Sequence, residues 1–169
     1  LKGSEFGRYR QLRHAGAVLV ERSDELITYE VIASIWKKMN ERIAMFGENN
    51  GSDLAKYNKK HPDKQMPQVL LIVDECQNLF SLDSENLELK KQIVAKINDI
   101  AKLGRAPGVH LMMATQSLSS CPLLEDHTLN QIYDHWILPC VDRDAKMLVV
   151  DDYKEIVGQE ASRMEREKE

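Results

Sequence analysis

Val69-Leu70-Leu71-Ile72-Val73-Asp74-Glu75, VLLIVDE, decides the fold of this 169-residue chain. Five consecutive apolar residues, two β-branched valines at the ends among them, predict a strand buried on both faces, the pattern of a parallel sheet. The run ends abruptly in two carboxylates. Charge at the tip of a buried strand is costly unless it faces solvent, a metal or a reacting water. In open α/β sheets, ligands bind outside the carboxyl ends of the strands. Two readings follow from the stretch by itself. One is a Walker B element, with Asp74 on the Mg²⁺ side and Glu75 activating the water that attacks a γ-phosphate. The other is a buried strand that leaves through acidic turn residues.

Outward from this strand, the pattern alternates helix and strand. Asp24 to Phe46 carries a helical period, with Ile32, Ile35, Trp36, Met39, Ile43 and Phe46 on one face. Ser23 or Asp24 suits its cap, and Gly47 its left-handed stop. A short helix is predicted over Asp53 to Lys60, and Pro62 and Pro67 bound a linker into the Val69 strand. Downstream, Glu85 to Leu103 is a second amphipathic helix, with Leu89, Ile93, Val94, Ile97, Ile100 and Ala101 as its stripe and Gly104 as its end. Gly108 to Thr115, GVHLMMAT, reads as another buried strand. Ala17 to Val20 and His135 to Val141, HWILPCV, are further strand candidates, the latter an end or edge because of Pro139. From residue 151 the chain is charged, a tail that is helical or frayed. The fold class is therefore α/β with a largely parallel sheet flanked by helices, in one domain over residues 1–169.

Composition narrows the function. Net charge is −4, which gives the whole chain no basic footprint for nucleic acid. Lys2, Arg8, Arg10 and Arg13 form a local basic cluster, read either as phosphate contacts or as a solvated loop. No apolar stretch reaches the roughly 20 residues of a membrane span. Cys76, Cys121 and Cys140 lack CxxC spacing and suit reduced, packed thiols. The five histidines show no metal-ligand spacing, and His110 is expected to be a hydrogen-bonded histidine inside its strand.

A second signal lies at Thr115-Gln116, a polar pair at the carboxyl end of the second strand. An amide there can bond a γ-phosphate or the attacking water. One helix separates the two strands, the length of a right-handed βαβ crossover. Such a crossover brings Asp74, Glu75 and Gln116 to one sheet edge.

Several segments in order resemble the motor domain of the FtsK/SpoIIIE translocases, in the HerA/FtsK group of RecA-like P-loop ATPases. LKGSEF resembles the family's D-P-K-G-x-E-F, and LRHAGAVLVE its L-P-H-x-x-x-V-V-T-D. Lys38-Met39, Arg42 and Phe46, then Tyr57-Asn58, resemble its E-M-x-x-R-Y-x-x-F and Y-N elements. LGRAPGVHLMMATQ fits G-R-A-x-G-I-H-L-x-x-A-T-Q, the most specific of them. The resemblance implies ATP as substrate, Mg²⁺ at Asp74, Glu75 as base and Gln116 as sensor. It implies Arg105 either within its own subunit or as an arginine finger for a neighbour, set against a plain cation at a helix C-terminus. It further implies a homohexameric ring that moves double-stranded DNA, or protein in the type VII secretion members. The expected location is cytoplasmic, at the inner face of the membrane through segments outside this chain. A non-catalytic ATPase-like module is the third reading.

The chain departs from the family in three places. It contains no GxxxxGK[ST] phosphate loop, an element the family places before D-P-K-G. The expectation is a motor core truncated on that side, binding ATP poorly alone and leaving one flank of its sheet uncovered. Ser117-Leu118 replaces the family's Arg-Pro, and Asn130 is followed by Asp134 and His135, without the arginine of N-x-x-x-R-I.

Overall fold

The computed structural model of the chain describes residues 6–16, 25–48, 53–83, 86–140, 142–149 and 151–166. The proposed strand at Ala17 to Val20, Lys2 of the basic cluster and the caps at Ser23 or Asp24 lie outside them.

The VLLIVDE run forms β1 (Val69–Val73), and GVHLMMAT forms β2 (Val109–Met113). They pair in parallel, with Val69 opposite Val109 and Val73 opposite Met113. The crossover between them contains α3 (Gln77–Phe80) and α4 (Leu87–Leu103). Asn86 starts α4 by accepting the Leu89 N–H at 3.1 Å. Ile93, Val94, Ile97 and Ile100 of α4 are buried against α1 (Glu25–Glu48) and the inner face of the sheet. The predicted α4 stripe holds, with Leu89 and Ala101 at its half-buried margin.

Helix α1 buries Thr28, Ile32, Met39, Arg42 and Phe46, spaced at intervals of three, four and seven. The expected Ile43 is 36% exposed, and Arg42 takes the inward place. Its guanidinium donates to Pro107 O and to Pro67 O, each at 2.8 Å. One side chain thus ties α1 to both segments that lead into the strands. Burial lowers the Arg42 pKa, the cost of drawing this charge out of water. Gly47 does not stop the helix, which continues through it to Glu48. Trp36 Nε1 donates to Asp99 Oδ2 at 2.8 Å, and Lys96 Nζ lies 4.6 Å from the Trp36 ring centroid. These polar contacts edge the α1–α4 seam.

Helix α2 (Leu54–Lys60) starts at Asp53, whose carboxylate accepts the Lys56 N–H at 2.8 Å. Its Leu54 covers Gly108, which has φ +69° and no room for a Cβ beside that leucine. Gly104 ends α4 as expected, through closeness rather than handedness. A Cβ there would meet Val109 O at 2.1 Å.

Two further expectations are corrected. First, β1 and β2 are buried on one face only. Leu70 and Ile72 remain 57% and 49% exposed, and Met112 48%. Val69, Leu71 and Val73 face the helices, whereas no described residue covers the other face. His110 points to that open face and is exposed, so it is not the enclosed histidine expected. Second, His135 to Cys140 forms no strand, and Val141 lies outside the described residues. Pro139 has no N–H to give, and neither described strand, β1 or β2, pairs with this segment. The segment is held instead by His135 Nδ1 at 2.8 Å from Leu148 O, with Trp136 84% exposed. The charged stretch after residue 150, read as helical or frayed, is helical and forms α7 (Asp151–Arg166). It packs on α6 (Asp142–Lys146), with Gly158 and Ala161 buried and Lys146 paired to both Asp142 and Glu155 at 2.9 Å.

Candidate active site

The carboxyl ends of β1 and β2 are stitched together beyond the strands. Ala114 N–H donates to Val73 O at 2.9 Å, and Cys76 N–H to Ala114 O at 2.8 Å. Between these two rungs the chain must turn, and Glu75 takes φ +49°. A left-handed glutamate costs about 1 kcal/mol or more, and such strain gathers at functional positions. The turn is braced by Asp74, whose Oδ1 accepts the Glu75 N–H at 2.9 Å.

This turn aims the Glu75 carboxylate at the neighbouring strand. Gln116 Nε2 donates to Glu75 Oε1 at 3.0 Å. Asp74, Glu75 and Gln116 therefore meet at one sheet edge, the arrangement predicted from the crossover. The amide nitrogen of Gln116 has a second hydrogen, and its oxygen accepts, so one side chain can hold the carboxylate and a further group together. Asp74 and Glu75 are half-buried and Gln116 is exposed, which leaves the edge open to a ligand.

Arg105 is not part of this cluster. It sits in the turn before β2, exposed, at the amino-terminal end of the strand. The length of β2, about 17 Å, separates it from Gln116. Of the basic cluster, Arg10 and Arg13 are exposed around a short 3-10 helix, Phe6–Gln11.

The sequence reading marks Thr115 only as half of a polar pair and does not mark Gln77. Thr115 Oγ1 donates to Gln77 Oε1 at 2.7 Å and accepts the Ser117 N–H at 3.2 Å. Gln77 lies two positions after Glu75, and nothing in the linear pattern marks it. Cys76, next to Glu75, is 1% exposed and sits in the core with Cys121. Contact with the Cys121 thiol, and then burial, hold its pKa above the ordinary thiol value. A protonated, enclosed thiol is a packing residue, in line with the sequence reading.

Mg²⁺ keeps most of its waters and takes one or two protein carboxylates beside substrate phosphates. Among the described residues, no three His, Cys, Asp or Glu side chains converge as a metal cage. A single carboxylate at a strand tip, Asp74 with one oxygen on a backbone N–H and the other open, fits that sparse mode.

No protein-family model matches the chain. Curated DNA translocases named FtsK match it at 26–30% identity. That of Caldanaerobacter subterraneus is 28% identical over 80 residues, which is 47% of this chain and 10% of that protein. The chain thus spans about a tenth of the length of these relatives. Among solved structures, the cytoplasmic domain of the Thermomonospora curvata type VII secretion ATPase EccC superposes with TM-score 0.59 and 25% identity, covering 90% of this chain and 18% of that one. The conjugation coupling protein TcpA of pCW3, solved with ATPgS, gives TM-score 0.63 at 13% identity, covering 78% of this chain and 38% of that one. The chain is thus similar in sequence to a segment of the FtsK-type DNA translocases, and its paired parallel strands lie in the α/β fold of the RecA-like P-loop ATPases.

Proposed function

We propose that this chain is part of an ATP-driven translocase motor, and that its Asp74–Glu75–Gln116 edge is the hydrolytic half of the ATP site. The observation that carries this reading is the 3.0 Å contact between Gln116 Nε2 and Glu75 Oε1 at the carboxyl end of two parallel strands. Glu75 takes the proton of the attacking water, and Gln116 orients that water against the same carboxylate oxygen. Asp74 is the residue that would hold Mg²⁺, which when bound supplies positive charge to the phosphate oxygens. Arg105, at the opposite end of β2, serves a neighbouring subunit's phosphates in a homohexameric ring rather than its own. The isolated chain turns over little ATP, because its sequence holds no phosphate loop.

The moved polymer is double-stranded DNA, a reading supported by the FtsK relatives. The likeness to EccC, which covers 90% of the chain, favours protein as the second reading. The motor works in the cytoplasm, at the inner face of the membrane. No described helix is long and apolar enough to cross it.

The test is Glu75→Gln in the natural protein that carries this chain. ATP turnover should fall more than about 100-fold while binding of an ATP analogue persists. Hydrolysis at the wild-type rate would remove Glu75 as the base. Stimulation of wild-type turnover by linear duplex DNA separates the DNA reading from the protein one.

A further inference from the structure

Gln116 reaches Glu75 only because its backbone is held in place, and the hydrogen bonds around it show what holds it. The residues on either side, Thr115 and Ser117, are tied to each other by the Ser117 N–H to Thr115 Oγ1 bond at 3.2 Å. Gln116 is thereby the tip of a small closed turn. The Thr115 hydroxyl has one proton, with Gln77 Oε1 at 2.7 Å and Ser117 O at 3.1 Å as its oxygen acceptors and the Cys76 and Cys121 sulfurs also in contact. The shorter contact is the one across to the other strand's turn. Thr115 and Gln77 are half-buried, so this bond is partly shielded from water.

The edge is therefore stitched at two points, Gln116 to Glu75 and Thr115 to Gln77. The two have different fates during a reaction. Glu75 must turn an oxygen to water, which weakens its bond to Gln116. The Thr115–Gln77 bond involves no reacting group and persists.

We infer that the Thr115–Gln77 hydrogen bond is a positioning clamp that keeps the Gln116 amide in register with the Glu75 carboxylate throughout the cycle. This rests on the proposed ATPase reading. Thr115 and Gln77 touch neither water nor phosphate in this role; they act through Gln116. A displacement of the amide by about 1 Å is enough to cost tenfold or more in rate.

The experiment compares Thr115→Val, Thr115→Ser, Gln77→Leu and the Thr115→Val/Gln77→Leu double variant in the natural protein. Thr115→Val and Gln77→Leu should each lower kcat about tenfold, with KM for ATP within about twofold. The double variant should lose no more than Thr115→Val alone, since that variant already breaks the bond to Gln77. Thr115→Ser keeps the hydroxyl and should stay within about twofold of wild type. Wild-type kcat in either single variant, or a hundredfold loss in the double, would overturn the clamp. Amide hydrogen exchange over residues 114–118 is read in parallel. Gln77→Leu should speed exchange there although the Ser117 bond partner is intact; unchanged exchange refutes the clamp. Should the wild-type protein hydrolyse no ATP, the functional reading falls, and the exchange data alone decide whether Gln77 holds the strand tip.

Discussion

Arg42 gives the sharpest test of how this fold is held. Replacing it by methionine keeps the aliphatic stem and removes two hydrogen bonds, to Pro67 O and Pro107 O. Hydrogen bonds from a charged donor contribute about 1.5–3 kcal/mol each, and the two carbonyls would be left without their partner. Against this, methionine avoids the desolvation that lowers the arginine pKa. The difference is a net loss of about 3 kcal/mol, a large part of the 5–15 kcal/mol that stabilises a typical domain. For a chain of this length it corresponds to a drop in Tm of about 6–12 °C. Thermal unfolding followed by circular dichroism measures it directly. Arg42→Lys should fall between, because one ammonium cannot reach two carbonyls with the guanidinium's fork. A Tm within 2 °C of wild type for Arg42→Met would refute the view that this side chain fastens both strand entries.

Two further outcomes follow from particular residues. Gly108→Ala should destabilise by about 2 kcal/mol or more in urea titration, since it adds left-handed strain and a collision with Leu54 at φ +69°. Asp53 is held below the ordinary carboxylate range, first by the Lys56 backbone N–H. A depressed folded-state pKa stabilises above the unfolded value near 4, and the contribution is lost as pH falls through the folded value. Asp53→Asn should therefore be less stable than wild type at pH 7, with the gap narrowing as pH falls from 4 towards 2, by the same urea titration. A constant difference across that range would rule out the charge as the source.

The strands and their tips were legible because a run of apolar residues that stops at carboxylates leaves few folds to choose from. The crossover followed from one helix between two such runs. The buried polar anchors were not legible. Arg42 and Lys90 are both inside, Lys90 at 2% exposure with its ammonium on Ser81 Oγ and Asp83 O. Periodicity counts such residues as surface, because it cannot see the carbonyls waiting for them. HWILPCV has the composition of a strand, but a strand also needs a partner, and composition is silent on that. The positive φ of Glu75 leaves no trace in sequence either. It arises from the two rungs on either side, which only the paired backbone reveals. Gln77 was missed for the same reason, since the turn that brings it to Thr115 is made by Glu75.

The parallel register has a consequence for how the chain reaches this structure. Every rung of the β1–β2 ladder joins residues 40 positions apart, from Val69–Val109 to Val73–Met113. Closing a loop of that size costs about 3 kcal/mol in chain entropy before the first rung forms. The ladder cannot nucleate itself, and the seam between α1 and α4 must supply a surface on which the strands are collected. Folding should then be slow for the chain's size, with helix content leading sheet formation. During that delay Leu70, Ile72 and Met112, still uncovered in the finished fold, are the residues most open to association with another chain.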